Sequence, residues 1–449
     1  MQVYLTSLGC RLNEAELQMW AGEFQREGML LTQRIENASL MVINTCAVTQ
    51  EAARKSRQTI RKLHRKNPTA KLVVTGCYAS LEKEEAETLL GVDLVVSNAQ
   101  KSQLPQLAKE VTEWQSMPYA ATEPEEAPLF TRNRERAFIK IQDGCRYRCT
   151  YCIVTVARGE EVSRTIDELI HEILELQAEG IKEIVLTGVH VGGYGSDLDV
   201  SLYDLVVSIL QRTSIPRIRF ASVEPWDLHD NFFDLFKDPR LMPHMHLPIQ
   251  SGSNKILRKM SRRCKTETFL ALIDKARSVI PDFNITTDII VGFPGENDED
   301  FQLSIDIIAQ AKFGHVHIFS YSNREGTKAA GLPEQVAAEM KKQRSRELHQ
   351  VAEKYKRETL STMLGKQQRI LWEGHALQTT DGQFRYFGYT ENYHKAYIEL
   401  GESMNISNQV TLCEIIAVDE SGATLVAKPI ETLQANADSN LQLNIKQIV

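Results

Sequence analysis

Short apolar runs that alternate with helical patterns constrain the fold of this chain more than any other feature. Four such runs lie in the first hundred residues: QVYLTSLGC, LMVINTC, KLVVTGC and VDLVVS. This alternation is typical of a parallel sheet whose strands are connected by helices. We therefore predict an amino-terminal parallel α/β sheet domain over residues 1–114.

A second α/β series follows residues 115–130, which contain prolines and acidic residues and which we interpret as an interdomain linker. Six more strands are predicted: AFIKIQDG, EIVLTGV, RIRFASVE, HMHLPIQ, ITTDIIVGF and HVHIFSY. Six β–α units in about two hundred residues indicate a partial, TIM-like (βα)6 barrel over residues 131–361. A long charged helix over 333–362 would end it.

The remainder of the chain changes character. Five short strands with turn signals between them are predicted, QQRILWEG, FRYFGYT, KAYIEL, QVTLCEIIAV and ATLVAKP. This pattern indicates a small carboxy-terminal β-barrel over residues 362–432, followed by a polar tail over 433–449.

Length and composition agree with several globular domains. A chain of 449 residues is too long for one ordinary domain. It shows no signal peptide and no apolar run of membrane-spanning length, so we predict a cytoplasmic protein without a membrane partner. The net charge of −7 does not suggest a nucleic-acid binder, although local basic patches remain compatible with it. In a cytosolic chain, eight cysteines point to metal or redox chemistry.

Three cysteines, Cys145, Cys149 and Cys152, are packed into one short stretch, DGCRYRCTYC. The C-x3-C-x2-C spacing follows the first barrel strand, at the face where barrel enzymes place their active sites. Three thiolates on a four-iron cluster leave one iron open, which would suit a catalytic site that binds a substrate or cofactor. The alternative is a zinc knuckle completed by a distant histidine or cysteine.

Three further cysteines, Cys10, Cys46 and Cys77, are far apart in sequence, but each follows an apparent strand. Because the carboxyl ends of parallel strands share one edge, these thiols could converge on a single metal site. They could equally be small buried hydrophobic residues, since free cysteine is among the most buried residue types.

Other candidate site residues lie at the ends of barrel strands, where polar side chains and glycines commonly meet ligands. The candidates for contacts with a cofactor or substrate are Gly192, Gly193, Glu224, Gln250 and Asp288. His244 and His246 alternate with apolar residues along one strand, and we interpret them as barrel-lining side chains rather than metal ligands.

Two stretches are candidates for contact with RNA. Arg54, Arg57 and Arg61 recur at helical spacing, together with Lys62 and Arg65, and would form one basic face. An ordinary solvated helix would look the same. In the carboxy-terminal barrel, RYFGYTENYHK combines Arg385 and Lys395 with aromatic residues, the mixture that grips phosphates and stacks unpaired bases.

The segment CRYRCTYC, with Tyr151 before its last cysteine, resembles the signature of the radical S-adenosylmethionine (SAM) superfamily. The resemblance implies a 4Fe-4S cluster on Cys145, Cys149 and Cys152 whose open iron chelates SAM. An electron from the cluster would cleave the sulfonium to give a 5′-deoxyadenosyl radical. It also implies that Tyr151, Gly192 and Gly193 lie close to the cofactor.

The whole chain resembles the methylthiotransferase family, because cysteines in LGC, NTC and TGC precede the radical SAM motif and a β-barrel follows it. The resemblance implies a second, auxiliary 4Fe-4S cluster on Cys10, Cys46 and Cys77. It implies that the terminal barrel is an RNA-binding TRAM module. An electron donor such as flavodoxin or ferredoxin is a further implied partner. Cys264 and Cys413 match neither cluster and are interpreted as ordinary thiols.

Within the family, LTGVHVGGYG, CIVTVARGEEVSR, HLPIQSGSN and FGYTENYHKAY most resemble the branch that acts on N6-threonylcarbamoyladenosine. This likeness implies methylthiolation at C2 of that base, at position 37 in the tRNA anticodon stem-loop. The alternatives are N6-isopentenyladenosine in tRNA, a ribosomal-protein aspartate, or a non-catalytic RNA-binding zinc protein. One departure is Val154-Thr155, where relatives often have proline.

Overall fold

The structure, a computed structural model, describes residues 1–112, 135–430, 433 and 446–447. The predicted linker over 115–130 and most of the predicted tail lie outside the described residues. The α-helices are α1 (Arg11–Arg26), α2 (Gln50–Lys66), α3 (Cys77–Leu81), α4 (Lys83–Glu87), α5 (Leu104–Thr112), α6 (Val154–Arg158), α7 (Ile166–Ala178), α8 (Leu202–Arg212), α9 (Asn254–Lys259), α10 (Thr266–Val279), α11 (Asp298–Ala311) and α12 (Ala338–Ser361).

The β-strands are β1 (Gln2–Ser7), β2 (Leu30–Leu31), β3 (Leu40–Thr45), β4 (Lys71–Gly76), β5 (Leu94–Val96), β6 (Arg136–Lys140), β7 (Gln142–Asp143), β8 (Val162–Ser163), β9 (Glu183–Thr187), β10 (Arg217–Phe220), β11 (His244–His246), β12 (Asn284–Val291), β13 (His315–Ser320), β14 (Gln367–Gln378), β15 (Phe384–Tyr389), β16 (Lys395–Leu400), β17 (Val410–Val418), β18 (Leu425–Pro429) and β19 (Lys446–Gln447). Among the described residues, no helix combines the length and apolar character that crossing a membrane requires.

The amino-terminal domain is a parallel five-stranded sheet in the order β2-β1-β3-β4-β5, as the sequence predicts. Its central strand β3 is buried along its whole length. Leu40 and Val42 pack on the face covered by α1, whereas Met41 and Ile43 pack on the face covered by α2. The continuous apolar run LMVINT therefore follows from having helices on both faces of the sheet.

The central domain contains the six predicted parallel strands. They form two three-stranded sheets, β6-β9-β10 and β11-β12-β13, and parallel bridges between Ile218 and Leu241 and between Ser222 and His246 connect them. The helices between the strands cover the outside. In the part of the chain that the structure describes, β6 does not pair with β13, so the barrel is partial, as predicted. The long final helix begins at Ala338 rather than at Pro333, and Glu334 has a φ of 59°, which a right-handed helix excludes.

The inside of the partial barrel is partly filled by the amino-terminal domain. Ala15 of α1 packs against Phe138 of β6 and Val185 of β9. The side chain of Gln18, one turn further along α1, accepts a hydrogen bond from the Phe138 N–H at 3.1 Å. The two domains therefore share a packed interface, with the carboxyl ends of both sheets on neighbouring surfaces.

The carboxy-terminal domain is a closed barrel of five strands, in which β14 pairs with both β15 and β17 and the remaining neighbours are β15-β16, β16-β18 and β18-β17. Its core includes the fully buried Trp372 and Tyr386. This architecture matches the small β-barrel predicted from the sequence.

One turn of this terminal barrel closes the central barrel at the amino ends of its strands. Arg219 of β10 donates 2.8 Å hydrogen bonds to the backbone oxygens of Thr390 and Glu391, between β15 and β16. Arg219, Arg136 and Arg217 also share the carboxylate of Glu183, which is completely buried. Part of the segment predicted to contact RNA therefore lies inside the protein.

Candidate active site

The first group of three cysteines, here called the loop triad, is Cys145, Cys149 and Cys152, between β7 and α6. Gly144, just before it, has a φ of 70°, and a Cβ there would lie 1.8 Å from the backbone oxygen of Glu160, so the turn requires glycine. The Cys152 N–H donates to the Cys149 oxygen at 3.0 Å. The loop triad is therefore held by its own short loop.

The loop triad is also fixed from outside. Thr150 donates its N–H to the Met260 oxygen at 3.0 Å and its hydroxyl to the Lys259 oxygen at 2.8 Å. Burial raises the pKa of Cys145 to about 12 and that of Cys152 to about 11. These thiols are consequently protonated at neutral pH in the metal-free chain, and metal binding would release their protons.

Arg262 is the cation at the loop triad, and the sequence-based reasoning missed it. Its Nη1 lies 3.9 Å from the Cys149 Sγ, and its guanidinium lies over the Trp226 ring at 4.2 Å from the centroid. It also donates to the Pro248 oxygen. The adjacent arginines in MSRRCK, close to HLPIQSGSN, were the signal that could have found it.

A buried histidine braces the turn after the second barrel strand. The ring nitrogens of His190 bond two carboxylates, Nδ1 with Glu161 and Nε2 with Asp227 at 2.7 Å. Burial on its own would lower the pKa of His190, but these hydrogen bonds outweigh burial and raise it to about 9. A Cβ on the predicted site residue Gly193 would lie 2.3 Å from the His190 Nδ1, so this glycine is required by protein packing. Gly192 lies against Asp227 and the Glu224 backbone.

Glu224, a predicted site residue, carries a buried carboxylate beside the loop triad. Its Oε2 has no hydrogen-bond partner among the described residues and lies 3.6 Å from the His190 Nε2. Burial raises the pKa of Glu224, and the carboxylate interacts electrostatically with Cys145 and Arg262. A buried acceptor without a partner is costly unless a ligand satisfies it.

The remaining predicted cofactor residues surround the same space. Tyr151 is held by apolar neighbours that include Phe293, and its hydroxyl interacts electrostatically with Arg262 and Asp288. Gln250 has a φ of 79°, and its N–H donates to the Asp288 oxygen at 2.8 Å. Asp288 Oδ1 lies 3.2 Å from the Nε2 of His246. His244 and His246 both bond Thr286 of β12, as expected for barrel-lining residues.

The second group, here called the sheet triad, is Cys10, Cys46 and Cys77, at the carboxyl ends of β1, β3 and β4. The structure brings them together, because each of the three thiols interacts electrostatically with the other two. A Cβ on Gly9 would lie 2.7 Å from the Cys46 Cβ. Burial raises the pKa of Cys46 to about 11, whereas Cys10 is exposed. The fold thus brings the three cysteines together at one edge of the sheet, as a shared site would require.

Each triad supplies three thiols, and this donor set suits an iron–sulfur cluster with one open iron. The zinc alternative requires a fourth ligand. His190 is the histidine near Cys145, with its ligand atom within 4.8 Å, but hydrogen bonds to carboxylates occupy both of its ring nitrogens. At the loop triad, the chemistry of the described residues therefore favours an iron–sulfur cluster over zinc.

The predicted RNA contacts on α2 are not equivalent. Arg54 pairs with Glu51 at 3.3 Å, and Arg57 pairs with Glu85 at 3.6 Å and lies over the Tyr78 ring. Arg61 is exposed and makes no ion pair with any residue that the structure describes.

On the carboxy-terminal barrel, Arg385 pairs with Glu399 at 2.6 Å and lies over the Tyr397 ring. Lys395 lies over the Phe387 ring at 4.3 Å. Because Phe387 opposes Tyr397 on neighbouring strands, these side chains form one cationic and aromatic outer face.

Three thiols on a tight loop at the carboxyl end of the first strand of a partial (βα)6 barrel define a radical SAM protein. Consistent with this class, the Radical SAM superfamily matches residues 139–308, and the family described as Uncharacterized protein family UPF0004 matches residues 2–97. A solved radical SAM methyltransferase, TsrM from Kitasatospora setae, shares the fold with a TM-score of 0.53 at 16% identity, over 71% of this chain and 74% of its own.

Similar curated proteins identify the family within the radical SAM superfamily. The threonylcarbamoyladenosine tRNA methylthiotransferases of Thermotoga maritima and Bacillus subtilis are each 35% identical, over 88% and 89% of this chain and 90% of each relative. The tRNA-2-methylthio-N(6)-dimethylallyladenosine synthase of Caldicellulosiruptor saccharolyticus is 36% identical, over 83% of this chain and 82% of its own. The chain belongs to the radical SAM methylthiotransferase family and is an enzyme of that family.

Proposed function

We propose that this enzyme methylthiolates C2 of N6-threonylcarbamoyladenosine at position 37 of tRNA, using two 4Fe-4S clusters and SAM. One observation carries the proposal: two separate sets of three converging thiols lie at the carboxyl ends of neighbouring sheets. The choice of base is supported by the names of the relatives from Thermotoga and Bacillus.

The loop triad would hold the cluster that binds SAM. When bound, this cluster and SAM together supply one-electron cleavage of the cofactor. The surrounding residues suit the amino acid part of SAM. Glu224 offers a buried carboxylate oxygen without a partner to the ammonium group, and Arg262 offers a guanidinium to the carboxylate. Apolar packing around Tyr151 would help to exclude water from this site.

The sheet triad would hold the auxiliary cluster, which would carry the sulfur to be transferred, and a second SAM molecule would supply the methyl group. Its three thiols come from three strands of one sheet, so the sheet fixes their spacing before iron binds. Such rigidity suits a site that must present sulfur to the substrate base.

For tRNA, we propose that the cationic and aromatic face around Arg385, Phe387, Lys395 and Tyr397 contacts the anticodon stem-loop. Aromatic rings there can stack unpaired bases while the cations approach phosphates. Arg61 on α2 would add a second phosphate contact. The electron donor, flavodoxin or ferredoxin, and a cytoplasmic location remain predictions.

A second candidate is methylthiolation of N6-dimethylallyladenosine (N6-isopentenyladenosine), because a relative named for that reaction is equally similar. Nucleoside mass spectrometry separates the two. The chain is expressed in a bacterial strain that lacks its own tRNA methylthiotransferases, and tRNA nucleosides are then measured. We expect the 2-methylthio form of threonylcarbamoyladenosine. Appearance of only the dimethylallyl product would favour the second candidate, and neither product would contradict both.

Iron analysis tests the cofactor part of the proposal. Protein purified anaerobically should carry about eight irons per chain, as expected for two four-iron clusters. Two zinc ions and little iron would instead support the non-catalytic zinc protein.

A further inference from the structure

A cation from the central domain lies at the sheet triad of the amino-terminal domain. Arg158 ends α6, six residues after Cys152, and its side chain is only 2% exposed. It nevertheless interacts electrostatically with all three thiols of the sheet triad, Cys10, Cys46 and Cys77. The helix that follows the loop triad, α6, therefore supplies a positive charge to the sheet triad.

The guanidinium of Arg158 is held in place by five hydrogen-bonding contacts to the two domains. It donates to Asn13 at 2.9 Å and to both carboxylate oxygens of Glu16 at 2.9 and 3.4 Å, both residues lying on α1. It also donates to both carboxylate oxygens of Asp143, at 2.9 and 3.1 Å. Asn13 in turn accepts a weak hydrogen bond from the Cys10 thiol at 3.7 Å.

The same side chain is connected to the loop triad. Asp143 accepts a hydrogen bond from the Gly144 N–H at 2.9 Å, and the next residue is Cys145. The Cys145 N–H donates to the oxygen of Gly159, which follows Arg158. Arg158 is thus placed between the two triads, with its charge directed to the sheet triad.

The charges around Arg158 do not cancel. Glu16 and Asp143 contribute two negative charges, whereas Lys101, Lys140 and Arg158 contribute three positive charges. An unbalanced positive charge that is buried beside three thiols is costly unless an anion lies next to it. Three thiolates and an iron–sulfur cluster form such an anion.

We propose that the guanidinium of Arg158 compensates the negative charge of the auxiliary cluster and keeps its reduction potential high. This inference rests on the proposed function, because it requires a cluster on the sheet triad. A nearby cation stabilises the reduced, more negative state of a cluster, so its removal shifts the potential to more negative values.

The test uses the full chain carrying Cys149→Ala, so that the auxiliary cluster can be observed without the other. Arg158→Met and Arg158→Lys are added separately, and the potential is measured by redox titration followed by electron paramagnetic resonance. We expect Arg158→Met to change the oxidised-to-reduced ratio at a given potential by about tenfold, a shift of about 59 mV to more negative values for one electron. Arg158→Lys keeps the charge and should remain closer to the parent.

Lys140→Met is the matched control, because Lys140 binds the same two carboxylates, Glu16 and Asp143, from β6. Its effect on the potential should be smaller than that of Arg158→Met. Equal shifts for Arg158→Met and Arg158→Lys, or an unchanged potential in Arg158→Met, would overturn the role of Arg158. A Cys149→Ala protein without iron would overturn the auxiliary cluster itself, and this proposal with it.

Discussion

Each triad consists of three cysteine thiols, but the two triads are built in opposite ways. The loop triad is local: Cys145, Cys149 and Cys152 lie within eight residues on one loop. The sheet triad is global, because Cys10, Cys46 and Cys77 meet only when β1, β3 and β4 pair in register. A local site can be predicted from the spacing of its cysteines. A global site depends on the fold, and its only sign in the sequence is the apolar, strand-like run before each cysteine.

The largest expected effect comes from removing one thiol from each triad. Cys149→Ala should abolish 5′-deoxyadenosine formation, because the cluster that cleaves SAM loses a ligand. Cys46→Ala should still form 5′-deoxyadenosine but should release no methylthiolated tRNA. Both products are measured by mass spectrometry in the same anaerobic reaction.

The buried Cys413 in the terminal barrel provides the control for this pair, and Cys413→Ala should retain both products. Full methylthio product from Cys46→Ala would show that the sheet triad is only part of the core. The loop triad would then be a functional site, and the sheet triad would be three packed core residues.

The next expected effect concerns backbone geometry rather than ligands. Gly76 has a φ of 100°, and a Cβ there would lie 2.3 Å from the Thr45 oxygen. Gly76→Ala should therefore deplete the sheet triad by up to about four irons, and Gly144→Ala should do the same to the loop triad. Iron content and 5′-deoxyadenosine formation together identify which cluster is lost.

Gly382→Ala is the matched control for strain alone. Gly382 also has a positive φ, of 85°, but a Cβ there would meet no atom within 4 Å. Its substitution should cost about 1–2 kcal/mol of stability and leave the iron content unchanged. Equal iron loss in all three variants would show that general destabilisation, not local geometry, empties the sites.

Periodicity and spacing predicted the architecture well, because the apolar runs of β3 and β4 and the cysteines after them are local features. The interfaces were not predictable in the same way. Nothing in Arg136, Glu183, Arg217 or Arg219 shows from sequence that they share one buried cluster, since they come from three different strands, β6, β9 and β10. The segment RYFGYTENYHK is predicted to contact RNA, yet the backbone oxygens of Thr390 and Glu391 within it accept hydrogen bonds from Arg219 inside the protein.

The buried cluster around Glu183 connects the central barrel to the terminal barrel, and Glu183→Gln tests how much it stabilises the fold. The Glu183 carboxylate pairs with three buried arginines, so its loss removes the negative charge that they share. We expect the free energy of unfolding to fall by about 3–5 kcal/mol, as for other broken buried ion pairs. Urea denaturation followed by circular dichroism measures it. Asp167→Asn breaks an exposed pair with Arg212 and should change stability by less than about 1 kcal/mol.

The pH dependence of this effect has a defined sign. Burial on its own would raise the pKa of Glu183, but Arg219, Arg136 and Arg217 outweigh it and hold the pKa below its usual range. The stabilisation is therefore fully present above the unfolded-state pKa, about 4.3, and is lost as the pH falls toward the folded-state value. The stability difference between the parent and Glu183→Gln should shrink below about pH 4. A difference that grows with acidity would contradict this account.

The smallest expected effect extends the comparison to the surfaces beside the two triads. Arg146 and Arg148, which lie between the first two cysteines of the loop triad, are paired with Glu161 and Glu160. On α2, which follows Cys46, Arg61 and Arg65 are exposed and make no ion pair within the described part of the chain.

The double variant Arg61→Gln, Arg65→Gln should therefore weaken tRNA binding and lower its salt-dependence slope by about one to two units, one for each lost phosphate contact. Arg57→Gln is the matched control on the same helix, because Arg57 is already engaged with Glu85 and Tyr78 and should leave the slope unchanged. Filter binding over a range of salt concentrations measures all three proteins. If the double variant keeps the parent slope, the basic face of α2 is solvated, and the contact with tRNA has to come from the face around Arg385 and Lys395 instead.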